Sequence, residues 1–487
     1  MILLYYPKLT KPKNRRLPLS VLALAAVLEG REKYEIVDGN LDPDPDTTLT
    51  RLIQTHPVEL LGVSVMPGPQ MISAMTSCKA IRARHPQVPI VWGGYFPSLY
   101  AEATLTSRYV DYAVRGQGES TLLELIDALR GNRELRSIPG LSYKDVFGIC
   151  VHNPERAMQP PDQFPWSPFE RLRVASYLRP SFFGKRTGAH QASIGCPFQC
   201  TFCAVHETYG SQQKMESPAR TESIMRHLVK NYGMDGVQFY DMNFFLREDH
   251  TRELMERLAP LKLQWWCEGR IDTISRYSDD TLERIRKGGC TMIFFGAESG
   301  SDRILKEMKK GITTEQTLEV AKRLRRFSII PEFSFVVGNP QDPEGDTRDT
   351  ISFIRKIKRL NPLSEIIVQH YTPVPNRGRM YGGIDGKVSF PVTLEEWATP
   401  QWYNFTIRVN PSMPWLQPKT RRLIDNFEMV VASRWPTVQD IQASRWSRRL
   451  LKVLSSWRYL SGIYGAPAEL RLAQDWIRLR RPKVESI

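Results

Sequence analysis

The sequence predicts an α/β protein in three parts: a doubly wound parallel sheet, a partial (β/α)6 barrel, and a small helical C-terminal region. Two observations predict it. Short apolar runs alternate with helix-length stretches twice, over residues 1–135 and again over 188–385, as parallel sheets covered by helices require. A Pro-rich stretch over residues 136–187 separates the two series and reads as a linker. The length of 487 residues exceeds one ordinary domain, and 41% hydrophobic with 24% charged residues is a globular balance.

In the first series the strand runs are Ile2–Tyr5, Tyr34–Val37, Leu60–Val65, Ile90–Trp92 and Tyr109–Val114, closed by a helix over Ser120–Leu129. Arg15 and Arg16 ahead of the apolar run Leu17–Leu28 superficially resemble a secretion signal. That run is far shorter than the roughly 20 residues a bilayer span needs, and it lies between two strand runs, so it reads as the first buried helix of an α/β unit. A cytoplasmic chain with no transmembrane segment is expected. Seven cysteines do not make a disulfide framework at this length, and a reducing compartment fits.

Open parallel sheets bind ligands beyond the carboxyl ends of their strands. This sheet carries small residues there: Asp38-Gly39, Ser64, Met66-Pro67-Gly68, Gly93-Gly94 and Gly116-Gln117-Gly118-Glu119. Glycines at those ends admit a large flat or phosphate-bearing ligand, and ordinary βα turns are the alternative.

The linker holds one hairpin near Leu141–His152. The second series has strand runs at Gln191–Ile194, Gly236–Tyr240, Leu263–Cys267, Thr291–Phe295, Pro331–Val337 and Glu365–His370, with helices such as Glu222–Lys230 and Thr314–Arg326 between them. Six such units make a partial barrel of TIM type, whose chemistry belongs at the C-terminal strand ends. Residues 386–487 interleave tryptophans (Trp397, Trp402, Trp415, Trp435, Trp446, Trp457 and Trp476) with arginines, and Trp476–Arg481 is strongly basic. The tryptophans are expected in a core, the arginines on a solvated face, and lipid binding weak; a basic amphipathic helix lying on anionic lipid is the alternative.

The chemistry concentrates in Cys196-Pro-Phe-Gln-Cys200-Thr-Phe-Cys203, which follows the first strand run of the barrel. Three soft thiolates on one short loop suit three irons of a four-iron cluster. Zinc, with His206 as fourth ligand, is the alternative. Three protein ligands leave one iron open, and an open iron can chelate an amino acid by its amine and carboxylate. The other cysteines (Cys78, Cys150, Cys267, Cys290) read as small buried apolar residues, with Cys267 the one to watch because of Arg270 three residues on.

This loop resembles that of the radical S-adenosylmethionine superfamily, and the resemblance extends along residues 1–385. It implies that Cys196, Cys200 and Cys203 hold a 4Fe-4S cluster and carry the catalysis, that S-adenosylmethionine binds the open iron, and that its cleavage yields a 5′-deoxyadenosyl radical. Phe202 matches the family's aromatic near the adenine. Asp241-Met242-Asn243-Phe244 resembles its strand-two element, Arg270 ends the third strand, and Glu298-Ser299 resembles the element contacting ribose and methionine. Gly338 ends the fifth. The first series resembles the Rossmann-like cobalamin-binding domain fused to one branch of that superfamily, which implies cobalamin contacts from Ser64, Gly93, Gly94, Gly116, Gly118 and Glu119. Many such domains carry Asp-x-His-x-x-Gly, whose histidine ligates cobalt. Here Asp38-Gly39-Asn40-Leu41-Asp42-Pro43 has no histidine, so no protein imidazole is expected on the lower face.

The resemblance implies a methyltransferase acting on an unactivated carbon of a small-molecule or biosynthetic-intermediate substrate, with an external flavodoxin- or ferredoxin-type electron donor. A ring-forming or oxidative enzyme, as in anaerobic tetrapyrrole cyclisation, is the alternative within the branch. A basic nucleic-acid or membrane-surface binding protein, motivated by a net charge of +15, is the alternative of another class, and no nucleic-acid partner is expected. No motif names the substrate.

Overall fold

Strand β1 (Ile2–Tyr6) is buried at every position, which a strand can be only when both faces of its sheet are covered. Leu3 and Tyr5 enter one core and Ile2, Leu4 and Tyr6 the other. The computed structural model describes residues 1–10, 14–374, 380–384, 386–407, 413–440 and 444–477.

From β1 the chain runs through α1 (Leu19–Leu28), β2 (Tyr34–Asp38), α2 (Pro45–Thr55), β3 (Leu60–Ser64), α3 (Pro69–Arg84), β4 (Ile90–Gly93), α4 (Tyr95–Leu99), α5 (Ala101–Leu105), β5 (Tyr112–Val114) and α6 (Glu119–Leu129). The sheet order is β2-β1-β3-β4-β5, all parallel, so the winding reverses between β1 and β3 as a doubly wound fold demands. The signal-like apolar run is α1, buried at Val21, Leu22 and Ala25–Leu28. The expected hairpin is present as β6 (Leu141–Lys144) and β7 (Cys150–His152), and it continues the sheet antiparallel to β5.

The second sheet is built from β8 (Arg179–Ser181), β9 (Gly184–His190), β12 (Gly236–Phe239), β13 (Gln264–Gly269), β14 (Cys290–Glu298), β15 (Ile330–Val337) and β16 (Glu365–His370), in the order β16-β15-β14-β13-β12-β9-β8. All pairs from β9 to β16 are parallel and the two edges do not meet, so the barrel is partial. One expected strand moves. The first barrel strand is Gly184–His190, whereas Gln191–Ile194 lies outside the barrel: Ser193–Gly195 is β10, paired antiparallel with β11 (Gln213–Met215) in a separate ribbon. The sequence Gly-Lys-Arg-Thr-Gly-Ala-His lacks the β-branched apolar signature of a strand because its outer neighbour β8 is short and its flank is partly exposed.

Helix α7 (Ala204–Tyr209) follows the ribbon's first strand, and the helices that cover the outer face are α8 (Pro218–Tyr232), α9 (Glu248–Leu258), α10 (Ile271–Arg276), α11 (Asp279–Lys287), α12 (Asp302–Glu307), α13 (Thr314–Arg326) and α14 (Pro343–Leu360). The C-terminal region divides. Its first part, with α15 (Leu394–Trp397) and α16 (Pro400–Thr406), crosses to the N-terminal sheet, where Leu394 and Trp397 join its core and Trp397 meets Phe96 and Tyr100. Its second part, α17 (Pro418–Arg434), α18 (Arg445–Ser461) and α19 (Ala468–Ile477), packs on α14 and β16 through Phe427, Val430 and Tyr459.

The tryptophans divide too. Trp397 is fully buried and Trp402, Trp415 and Trp435 are half-buried, but Trp446, Trp457 and Trp476 are exposed, because α18 buries only the face it turns to α17. Arg478, Arg480 and Arg481 of the basic stretch lie outside the described residues. Among the described residues no helix is long and apolar enough to cross a membrane.

Candidate functional site

The cysteine loop hangs from the β10–β11 ribbon at the C-terminal end of the barrel. Gly195 has φ +80°, and a Cβ there would lie 2.3 Å from the Gln212 carbonyl oxygen, so the turn into Cys196 requires glycine. Within the loop the Cys203 amide donates to Cys200 O at 3.1 Å, and the Thr201 amide donates to Met308 O at 3.1 Å. The second bond pins the loop to the segment between α12 and α13. Helix α7 starts at once after Cys203.

Arg270, at the end of β13, reaches the same segment. Its guanidinium lies 3.5 Å from the Phe198 ring centroid, and Nη1 lies 3.6 Å from Cys200 Sγ. Nε donates to Asp272 at 2.9 Å, and Nη2 donates to Lys310 O. Lys310 Nζ in turn donates to Glu298 Oε1 at 2.6 Å, and its ammonium stands 5.8 Å from the Phe202 ring. Glu298 occupies the left-handed region at φ 59°, where β14 slips register against β15. Its carboxylate folds back over Gly296, where any Cβ would lie 2.0 Å from Oε1. Three predicted residues, Cys200, Arg270 and Glu298, thus meet in one buried network, joined by Lys310 and Phe198. Those two were missed; the only local sign of Lys310 is the turn Lys309-Lys310-Gly311 ahead of the Thr313 helix cap.

Burial raises the Cys196 thiol, with Cys200 adding to the rise and Arg270 and Lys310 opposing it; burial pushes Cys203 up to about 11, with Cys200 and Cys196 adding and Lys310 opposing. Burial alone would lower the Lys310 ammonium, yet Glu298 and Cys200 outweigh it and hold it above its ordinary value. Among the described residues no group of three His, Cys, Asp or Glu side chains is drawn up around one ion position. The donor set suits an iron–sulfur cluster: three soft thiols within electrostatic reach of one another, with two fixed cations to offset thiolate charge. His206, the candidate fourth zinc ligand, has Nδ1 3.2 Å from Ser211 Oγ.

Ser299 follows Glu298 and donates to Asp346, which also accepts from the Asn339 amide. Burial pushes Asp346 up to about 6 despite those two donors. Gly338 ends β15, and its carbonyl accepts from Trp415 Nε1 at 3.0 Å. Trp415 and Phe202 pack into one apolar cluster with Tyr371 and Tyr381, so the C-terminal region supplies part of the barrel rim. Asp241 ends β12, is 1% exposed, and accepts from the Ala192 amide at 3.2 Å. Burial pushes it up to about 7. It braces the chain between β9 and the ribbon, and beside it both side-chain polar atoms of Asn243, fully buried, lack partners. Cys267 does not face the barrel interior: it packs in the core beneath the helices, while its strand neighbour Trp266 lies with Tyr240 and Phe294.

At the N-terminal sheet the predicted residues gather along one edge. Ser64 Oγ lies 2.8 Å from Ser20 Oγ, and the Val65 amide donates to Gly93 O at 2.8 Å. Gly94 has φ +99°, with Val65 O only 3.1 Å from where a Cβ would stand. The Gly116 amide donates to Ser98 Oγ at 3.0 Å. Gly118 caps α6, and Glu119, its first residue, is buried with its carboxyl raised by desolvation. Asp38-Gly39-Asn40 is spent on structure: Asp38 accepts from Tyr177 and Asn40 Oδ1 from the Leu9 amide.

The two edges face each other. Helix α4 packs on α7, and Thr208 O of α7 lies 3.5 Å from the position of a Gly116 Cβ. Ile407, after α16, stands 2.8 Å from a Gly68 Cβ and closes a third side.

Comparison with known proteins matches the Radical SAM superfamily over residues 191–354 and the B12 binding domain over residues 9–126. An uncharacterized methyltransferase of Pyrococcus horikoshii is 28% identical over 343 residues, 70% of this chain and 73% of the relative. The anaerobic magnesium-protoporphyrin IX monomethyl ester cyclase of Synechocystis sp. is 25% identical over 370 residues, 74% and 72%. The radical S-adenosylmethionine methyltransferase TsrM from Kitasatospora setae, solved with tryptophan and an S-adenosylmethionine analogue, shares the fold at a TM-score of 0.68 and 17% identity, with 98% of each chain covered.

Proposed function

From a chain that joins a B12-binding domain to a radical SAM domain, we propose a cobalamin-dependent radical SAM methyltransferase that adds a methyl group to an unactivated carbon of a small-molecule or biosynthetic-intermediate substrate. The observation that carries this reading is the apposition of α7, which leaves the cysteine loop, with α4 and Gly116 at the ligand edge of the N-terminal sheet. Chemistry at the two edges is thereby directed at one space. The methyltransferase relatives support the same reading.

Cys196, Cys200 and Cys203 hold the 4Fe-4S cluster in this proposal. Phe202, Asp241, Arg270, Glu298, Ser299 and Gly338 form the S-adenosylmethionine site, and Ser64, Gly93, Gly94, Gly116, Gly118 and Glu119 the cobalamin edge. When bound, these groups supply a carbon-centred radical and a transferable methyl group. The protein contributes position and dryness. Arg270 and Lys310 balance thiolate charge and keep the loop in register with β14, and the Glu298–Lys310 pair presents a carboxylate at a fixed point on the rim. The C-terminal segment around Trp415 shields the rim from water. Asn40 ties down the loop after β1, and residues 38–43 hold no histidine, so no imidazole from that stretch is assigned to cobalamin. An external flavodoxin- or ferredoxin-type donor supplies electrons.

The cyclase relative supports a second reading, ring formation. Product mass separates them: methylation adds one methylene unit per event, and cyclisation removes hydrogen or adds oxygen. The cluster itself is tested by anaerobic reconstitution with iron and sulfide. Replacing Cys196, Cys200 and Cys203 by alanine is expected to abolish the roughly 400 nm absorption and S-adenosylmethionine cleavage. Cleavage that persists in the triple variant sinks the assignment.

A further inference from the structure

Helix α18 turns Leu451, Ser455, Arg458 and Tyr459 inward. Its opposite face shows Trp446, Val453, Trp457 and Leu460 to solvent, at 58%, 70%, 50% and 68% exposure. These positions fall seven, four and three residues apart, which places them in one stripe along a 3.6-residue helix. Helix α19 extends the patch: Leu472 and Trp476 are each 71% exposed, and the Trp476 ring meets Trp446 edge-on at 5.7 Å. Scattered exposed apolar residues are ordinary, but a continuous patch centred on three indoles is a contact surface.

The surroundings of the patch indicate its partner. Arg445, Arg449 and Lys452 are exposed along one flank of the stripe, and Arg471 is exposed on α19. From residue 444 onward the sequence holds ten Lys and Arg against three Asp and Glu, and four of those cations and one of those acids lie outside the described residues. A second copy docked on this face about a two-fold axis would set that cationic flank near its own image, which like-charge repulsion opposes. A surface of anionic headgroups answers both features. Indoles settle at the boundary between headgroup and acyl chain, and the flanking cations meet phosphates. We infer that the exposed face of α18 and α19 is a docking surface for an anionic lipid bilayer, with α18 lying in the plane of the interface. For these three tryptophans this reverses the sequence-based expectation of a core, and it stands apart from the proposed methyl-transfer site.

Flotation of the full chain with vesicles tests it. Vesicles of phosphatidylcholine mixed with phosphatidylglycerol are expected to carry at least about tenfold more protein than phosphatidylcholine alone. Changing Trp446, Trp457 and Trp476 together to alanine is expected to cut that binding about tenfold with the thermal melt unchanged, since all three side chains are exposed. The pair Arg449→Glu and Lys452→Glu, which removes no apolar area, is expected to do the same and serves if the first variant misfolds. Absence of flotation with the anionic vesicles, or undiminished flotation of both variants, overturns the inference. So does a concentration-dependent dimer by light scattering that the tryptophan variant abolishes, because it assigns the face to a second copy.

Discussion

Arg270 shows how much one side chain can organise. From the sequence it reads either as a strand-end cofactor contact or as a plain ion-pair partner. In the structure it pairs with Asp272, lies over Phe198, approaches Cys200 Sγ and donates to Lys310 O at once. Both it and Asp272 are nearly buried. Arg270→Ala is therefore expected to strand a buried carboxylate and lower stability by about 3 kcal/mol, read from urea denaturation of the metal-free chain. Arg270→Lys is expected to recover less than half of that loss, because an ammonium neither stacks on a ring nor forks to several acceptors. An unchanged midpoint in Arg270→Ala would remove its organising role. Glu298 carries a related lesson. Its residue type is legible in the sequence, but its left-handed backbone and its bond to Lys310 depend on a register slip between β14 and β15 that no local pattern announces.

At the scale of elements, the β10–β11 ribbon decides where the cysteines stand. Its glycine is required twice over, by a positive φ and by the Gln212 carbonyl that a Cβ would strike. Gly195→Ala is expected to cost about 1–3 kcal/mol and to release the amides of residues 193–203 to hydrogen exchange while those of β12 to β16 stay protected. Uniform protection across both regions would count against the ribbon as the loop's support. The same ribbon explains the misplaced strand. Gln191–Ile194 reads as the barrel strand, whereas the true strand Gly184–His190 is rich in glycine and charge, and local pattern favours the wrong one.

For the whole molecule, three desolvated carboxyls, Asp241 and Asp346 buried and Glu268 half-buried, set a pH dependence. Burial pushes Asp241 to about 7, Asp346 to about 6 and Glu268 to about 7, all well above the ordinary carboxylate range. The native chain thus binds protons more tightly than the unfolded one. The stability tied to these groups is complete below about pH 4 and is lost as pH rises through 6 and 7. Urea midpoints are expected to fall from pH 5.5 to pH 8, with a slope of up to about 1.4 kcal/mol per pH unit per group inside its window. Asp346→Asn is expected to flatten the lower part of that decline. A flat midpoint over the same range would show that the carboxyls ionise in the fold as they do in the unfolded chain. The C-terminal segment acts at this scale as well: Trp397 closes on the N-terminal sheet and Trp415 on the barrel rim, so one stretch of chain holds both domains.

The sequence by itself determined the two βα series, the hairpin, the absence of a long apolar span and the cysteine loop, because periodicity and cysteine spacing are local properties of the chain. It also pointed to Arg270 and Glu298 through their places at strand ends. Only the tertiary structure decided that Lys310 and Phe198 join them, that Asp241 braces the loop's approach, and that Cys267 faces away. It alone showed which tryptophans are covered. Those outcomes depend on what lies across from each residue: one indole is buried, three are half-covered and three are left bare according to where α17, the barrel rim and the N-terminal sheet happen to press, and side-chain type does not encode that neighbour.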